Sequence, residues 1–113
     1  MKIAWWQWLP FWRWRVIGMV ESADEVPERL PRNAAVIVGD EKFAKWLAFD
    51  CPCRTGHRIM LNADRTRRPA WRVAVAPDGR LTVAPSVDFV GNGSRCHYFI
   101  REGRIEWSRN ENR

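Results

Sequence analysis

Short runs in which apolar and polar residues alternate, broken every few positions by Pro, Gly, Asp or Asn, make up most of this sequence. A period of two sends successive side chains to opposite faces, which is the geometry of a strand. Residues 13–21 (RWRVIGMVE) predict a first strand from their β-branched and aromatic content. Residues 22–31 carry acids, a capping candidate at Ser22 and two prolines. They predict a loop with at most one helical turn, because the residue before each proline is pushed away from the α region. Residues 35–39 read as a short buried strand, and residues 43–49 as another that leads straight into Cys51-Pro52-Cys53. Residues 57–62, 71–75 and 81–83 alternate well enough for three more strands. The last two are joined by Pro77-Asp78-Gly79-Arg80, where Pro presets φ and Gly takes a positive φ. Residues 87–93 read as a loop ending in Gly-Asn-Gly, and residues 96–100 and 104–107 form a last hairpin around Glu102-Gly103. The expected fold is mainly β: a small single antiparallel β domain of seven or eight short strands with little helix.

The ends do not fit that alternation. Trp5, Trp6, Trp8, Trp12 and Trp14 are five of the chain's eight tryptophans, joined by Phe11 and punctuated by Arg13 and Arg15. The first reading is a strand that covers the open end of the core, with Trp12, Trp14 and Val16 on one face. A partner-docking patch comes second. Membrane contact by residues 1–14 comes third, since Trp with Arg suits a headgroup interface. The segment is interrupted by Pro10, Arg13 and Arg15 well before a membrane span's length. The expected organisation is a Trp/Arg-rich segment at 1–14, a β domain at 15–108 and a polar, frayed tail at 109–113.

Charge adds one feature. Net charge is +6 over 113 residues. The half before Cys51 is balanced, so the excess is all arginine beyond it. An arginine excess suits bidentate contact with carboxylates or phosphates, although a solvated basic surface explains it more simply. Arg65, Arg67, Arg68 and Arg72 around Trp71 make nucleic acid a third-ranked partner, because no groove-reading helix is evident.

Candidate chemistry gathers at the cysteines. There are three, and two of them, Cys51 and Cys53, lie one residue apart, too close for an unstrained disulfide. An odd count without a signal peptide suits a reducing cytoplasm, where thiolates stay available for metal. Cys51, Cys53, Cys96 and one histidine make a Cys3His set, a common ligand combination for structural Zn2+, with bonds of about 2.0–2.3 Å. His97, next to Cys96 on the closing hairpin, ranks ahead of His57, four residues after Cys53, as the fourth ligand. Adjacent residues on a regular strand point to opposite faces, so Cys96 and His97 can share a metal only if the backbone turns there. Ser86 and Ser94 have no acid–base constellation that spacing reveals. Asp64, Asp78 and Asp88 lie in predicted turns, where Asp is expected for local hydrogen bonds. There is no phosphate-cradling glycine loop and no HExxH helix.

From Trp46 to Trp107 the motifs CPCRTGHRIMLN, RRPAWRV, DGRLTVAPSV, RCHYFI and REGRIEW follow one another, with VPERLPRNAAVIVG upstream. This series resembles the bacterial family called domain of unknown function 6527. The resemblance implies zinc binding and a role in a ubiquitin-like conjugation pathway, with phage defence as one setting. Its members often occur beside an E1-like adenylyltransferase, an E2-like protein and a ubiquitin-like modifier. It implies no reaction. A form of the family pattern reads CPCGCG and then CRSH; here Thr55 replaces the third cysteine, and Ser94 and Cys96 exchange places. Residues 1–14 match nothing in the pattern.

The leading expectation is a zinc-stapled module that binds an E1-like, E2-like or ubiquitin-like protein, with no catalytic residue assigned. The second is a zinc hydrolase or peptidase acting on the modifier, which needs only three protein ligands plus water. Three thiolates make zinc a poorer Lewis acid, which weighs against it.

Overall fold

Residues 34–38 (AAVIV) combine small and β-branched side chains with no charge, the composition of a strand covered on both faces. In the computed structural model, which describes residues 1–9, 12–91 and 94–108, they lie in β2 (Ala34–Gly39). Around β2 forms one sheet of order β1-β2-β3-β4, with β1 at Arg15–Val20, β3 at Ala44–Asp50 and β4 at Arg58–Asn62. A second sheet has the order β5-β6-β7-β8, with β5 at Arg72–Val75, β6 at Leu81–Gly91, β7 at Ser94–Arg101 and β8 at Arg104–Trp107. The mainly β expectation holds, with two small four-stranded sheets and no α-helix among the described residues.

The main core lies between the inner faces of the sheets. Ala35, Leu47, Phe49, Ile59 and Leu61 meet Leu81, Val83, Val87, Tyr98 and Ile100, with Trp14 at one end and Cys51 and Cys96 at another part. A second cluster, Val20, Leu30, Val36 and Val38, lies on the other face of β2, under Ile3, Val26 and Trp46.

Two details depart from the sequence reading. β1 pairs with β2 in parallel, whereas every other pair is antiparallel. A parallel pair needs a crossover of about a dozen residues, and residues 21–33 supply it, including a 3₁₀ turn at Ala23–Glu25. Ser22 caps that turn, its N–H donating to Glu25 Oε1 at 3.0 Å. Arg58 ties the crossover down with bonds to the carbonyls of Pro27 and Glu28, while Nε holds Asp50. The second departure concerns residues 87–91, expected as loop and found as the far half of β6. The strand survives Pro85 because a bulge between Val83 and Val87 takes residues 84–86 out of the ladder with β7, where the missing proline N–H costs nothing. Residues 92–93 and the 109–113 tail lie outside the described residues.

The tryptophan expectation divides. Trp14 is 4% exposed and meets Phe49 edge-on, but Trp12 is 95% exposed, and Trp5, Trp6 and Trp8 are also exposed. The core face of that first strand therefore begins at Trp14. Phe11 lies outside the described residues. No helix among the described residues is long and apolar enough to cross a membrane.

Trp14 also joins the two sheets. Its N–H donates to Gly103 O, and its carbonyl accepts from Leu81 N–H. Glu102 and Gly103 both have positive φ, +47° and +80°, as the two central residues of a primed hairpin turn require. A Cβ on Gly103 would lie 2.9 Å from Arg13 Cβ and 3.0 Å from Trp14 O. Gly103→Ala should therefore cost about 1–3 kcal/mol, read as a lower urea midpoint with unchanged slope.

Candidate functional site

β3 delivers Cys51 to the edge of the core, and the next six residues fold back on it. Arg54 N–H donates to Cys51 O, and Cys51 N–H to His57 O, closing a knuckle that needs positive φ at Arg54 (+61°) and Gly56 (+92°). This return places His57 beside Cys53, with Nδ1 3.4 Å from the sulfur. Cys96 arrives from β7. The ligand atoms of Cys51, Cys53, His57 and Cys96 all lie within 4.8 Å of one another, a group that could hold a metal ion.

The titration behaviour of these thiols reflects their crowding. Burial pushes the Cys51 thiol up. At Cys96 burial, joined by hydrogen bonding to Cys53 and Cys51, pushes it up to about 12. Burial also acts to raise Cys53, but hydrogen bonds from Thr55 and the other thiols outweigh it and bring it down to about 6. Three sulfurs in one place cannot all ionise unless a cation sits among them. The donor set thus suits a metal, and its four protein groups would fill a tetrahedral shell. Tyr98, buried beneath, presents its hydroxyl to Cys51 Sγ at 3.6 Å, and Phe89 covers the His57 ring with centroids 4.5 Å apart.

His97 was expected ahead of His57 beside the sulfurs; the structure brings His57 to them and turns His97 away. The reason is the regular pleat of β7. Cys96 and Tyr98 point into the core, so His97 between them faces outward. There it meets a residue that spacing did not bring to it: Ser86 Oγ lies 2.9 Å from His97 Nε2. Trp71 Nε1 donates to the Ser86 carbonyl at 3.1 Å and holds the bulge in place. Ser108 N–H donates to His97 O.

Asp88, expected in a turn, stands on β6 directly across the ladder from His97. Its carboxylate accepts from Arg95 Nε and Nη2 at 2.9 and 2.7 Å. Those bonds, with smaller help from the Arg95 and His97 charges, hold Asp88 below the usual carboxylate range. Asp64 and Asp78 do sit in turns, accepting from Thr66 and Arg80 N–H respectively. Nothing is described for the Ser94 side chain. A cleft of about 440 Å³ runs beside the knuckle, past Cys51, Pro52 and His57. A smaller groove of about 340 Å³ lies next to the bulge, over Pro85 and Phe99.

A hydroxyl within hydrogen-bond reach of an imidazole is the arrangement of an activated serine. A family model described as "Bacterial ubiquitination-like system serine protease (BubE)" matches residues 22–108. The chain belongs to the BubE family. No curated protein and no solved structure matches it. The BubE match links the chain to bacterial ubiquitination-like systems, the kind of pathway the sequence resemblance implied. It spans β2 to β8, nearly all of the crossover, the knuckle, Ser86 and His97, and begins after β1 and the exposed tryptophans. Sequence reasoning missed Ser86 because it ended the strand at Val83. With β6 carried on to Gly91, the period of two would have set Ser86 and Asp88 on one face; that His97 joins them depends on the register with β7.

Proposed function

We propose that this chain is a serine-type peptidase of a bacterial ubiquitin-like conjugation system, with Ser86 as nucleophile and His97 as general base. The observation that carries the reading is the 2.9 Å approach of Ser86 Oγ to His97 Nε2 on the open face of the β6–β7 pair. Ser86 Oγ adds to the scissile carbonyl while its proton passes to Nε2. The same nitrogen then protonates the departing amine, leaving an acyl-serine that water hydrolyses by the reverse proton path. The charge of Asp88, across the ladder from His97, favours the imidazolium formed on the way.

In this reading Cys51, Cys53, His57 and Cys96 hold Zn2+ as a structural ion. Bound there, zinc would supply no Lewis acid to a substrate, since four protein donors leave no place for one. The site sits on the core side of β7, and the serine on its outer side. Zinc would then fix the knuckle and the inner face of β7 and so the register that sets His97 against Ser86. Three free thiols suit a reducing cytoplasm.

The test is covalent labelling. A fluorophosphonate should leave one adduct on the peptide containing Ser86, found by mass spectrometry, and His97→Ala should prevent it. Labelling at another serine, or undiminished labelling of His97→Ala, would overturn the assignment.

A further inference from the structure

β6 is longer than the strand on its outer side. β5 pairs with it only from Leu81 to Ala84, the last pair being Arg72 with Ala84. Before Arg72 the chain leaves this edge: Trp71 N–H donates to Asn62 O, on β4 of the other sheet. On its other side β6 stays paired with β7 from Val87 to Gly91. Among the described residues, no strand pairs with β6 on the β5 side beyond Ala84.

The direction of the backbone groups along that free edge follows from one bond. His97 O accepts from Ser108 N–H on the β8 side, so the polar groups of Cys96 and Tyr98 on β7 face β6, where they meet those of Phe89 and Val87. Backbone polar groups alternate sides along a strand, so those of Asp88 and Val90 point to the β5 side. Val90 is 71% exposed, as expected of an open edge. A free row of N–H and C=O groups is a template for another extended chain, and this row ends beside Ser86, whose carbonyl is already bonded to Trp71.

We propose that the β6 edge from Ser86 to Val90 receives the substrate as an added strand, so that the peptidase acts on an extended, unfolded tail or linker of a polypeptide. The inference rests on the peptidase reading given above. An added strand lies about 4.8 Å from β6, which brings its backbone alongside Ser86 while the side chain of Ser86 rises toward His97. Alternate backbone groups give the pairing without demanding particular side chains, as in other strand-addition complexes. At Ser86 the way along the edge is closed by Trp71 and the start of β5, so the bound strand must end or turn there. The occupied stretch matches about five extended residues. That geometry suits a flexible tail and excludes a bond inside a folded sheet or helix.

The edge can be blocked without touching the β7 ladder. Val90→Pro removes an N–H that faces solvent, a position where strands tolerate proline. The probes are p-nitrophenyl acetate, which needs no strand, and internally quenched octapeptides randomised at every position. Val90→Pro should lower kcat/KM for the octapeptides about tenfold more than for the ester, the effect of losing one or two hydrogen bonds. Equal loss on both probes overturns the proposal. If Val90→Pro does not fold, amide exchange of Asp88 and Val90 is followed in Ser86→Ala with the octapeptide that the wild type cleaves fastest. Slowed exchange supports strand addition, and unchanged exchange overturns it. A wild type that hydrolyses the ester through Ser86 but none of the octapeptides ends the strand proposal and leaves the serine reading standing. A wild type that hydrolyses neither ends both.

Discussion

Ser86→Ala should abolish cleavage of a fusion carrying a ubiquitin-like modifier while the protein keeps its fold. Removing a catalytic serine or its base costs on the order of 10⁴-fold or more in kcat. The structural effect should be small, since Ser86 lies on the outer face and its hydroxyl bonds to His97. Surface changes of that kind fall within about 0.5 kcal/mol. His97→Ala should produce the same loss, and the double variant little more than either alone, because nucleophile and base act as a unit. Burst kinetics with an activated ester would show the acyl-serine directly. Cleavage by Ser86→Ala at the wild-type rate would sink the serine reading. If that cleavage also stopped on chelation, the zinc hydrolase would take its place. If no fusion is cleaved at all, while the protein binds an E1-like, E2-like or ubiquitin-like partner, the interaction module stands instead.

The second large effect separates the two histidines. His57→Ala should release zinc and unfold or loosen the domain, whereas His97→Ala should retain one equivalent by elemental analysis and melt like the wild type. Cys51→Ser should act like His57→Ala, and more severely. Binding free energy at a structural zinc is folding free energy. In a domain whose whole stability is about 5–15 kcal/mol, its loss removes most of the margin. Acid should also release the ion, because protons compete for the thiolates, and burial already favours the neutral thiols of Cys51 and Cys96. Zinc retained by His57→Ala and lost by His97→Ala would restore the ligand set first expected from the sequence. A wild type that is stoichiometrically metal-free and equally stable would end the zinc proposal.

Together these variants divide stability from chemistry along one strand. β7 carries Cys96 and Tyr98 on its inner face and His97 on its outer face. A strand has only these two faces, so a metal site and a catalytic face can share consecutive residues without sharing ligands. Loosening the knuckle should then weaken catalysis indirectly, through β7, while disabling Ser86 should leave the metal in place.

Local features were legible in the sequence because nearby atoms decide them. Cys51-Pro52-Cys53, Pro77-Asp78-Gly79-Arg80 and Glu102-Gly103 read as turns, and Ser22 reads as a cap; each appears where expected. Residues 35–39 read as a buried strand because nothing in them needs water. What the tertiary structure alone decided is which distant residues meet. Cys96 joins a knuckle more than forty residues earlier because β6 and β7 bring it across the core. Ser86 meets His97 because β6 continues past its bulge and pairs with β7 in one register. A shift of a single residue in that register would reverse every side chain on β7, sending Cys96 out and His97 in. Strand pairing is a contact between segments far apart in the chain, set by the packing of both inner faces. Neither the histidine that joins the three thiols nor the partner of the serine could therefore be read from the residues beside them.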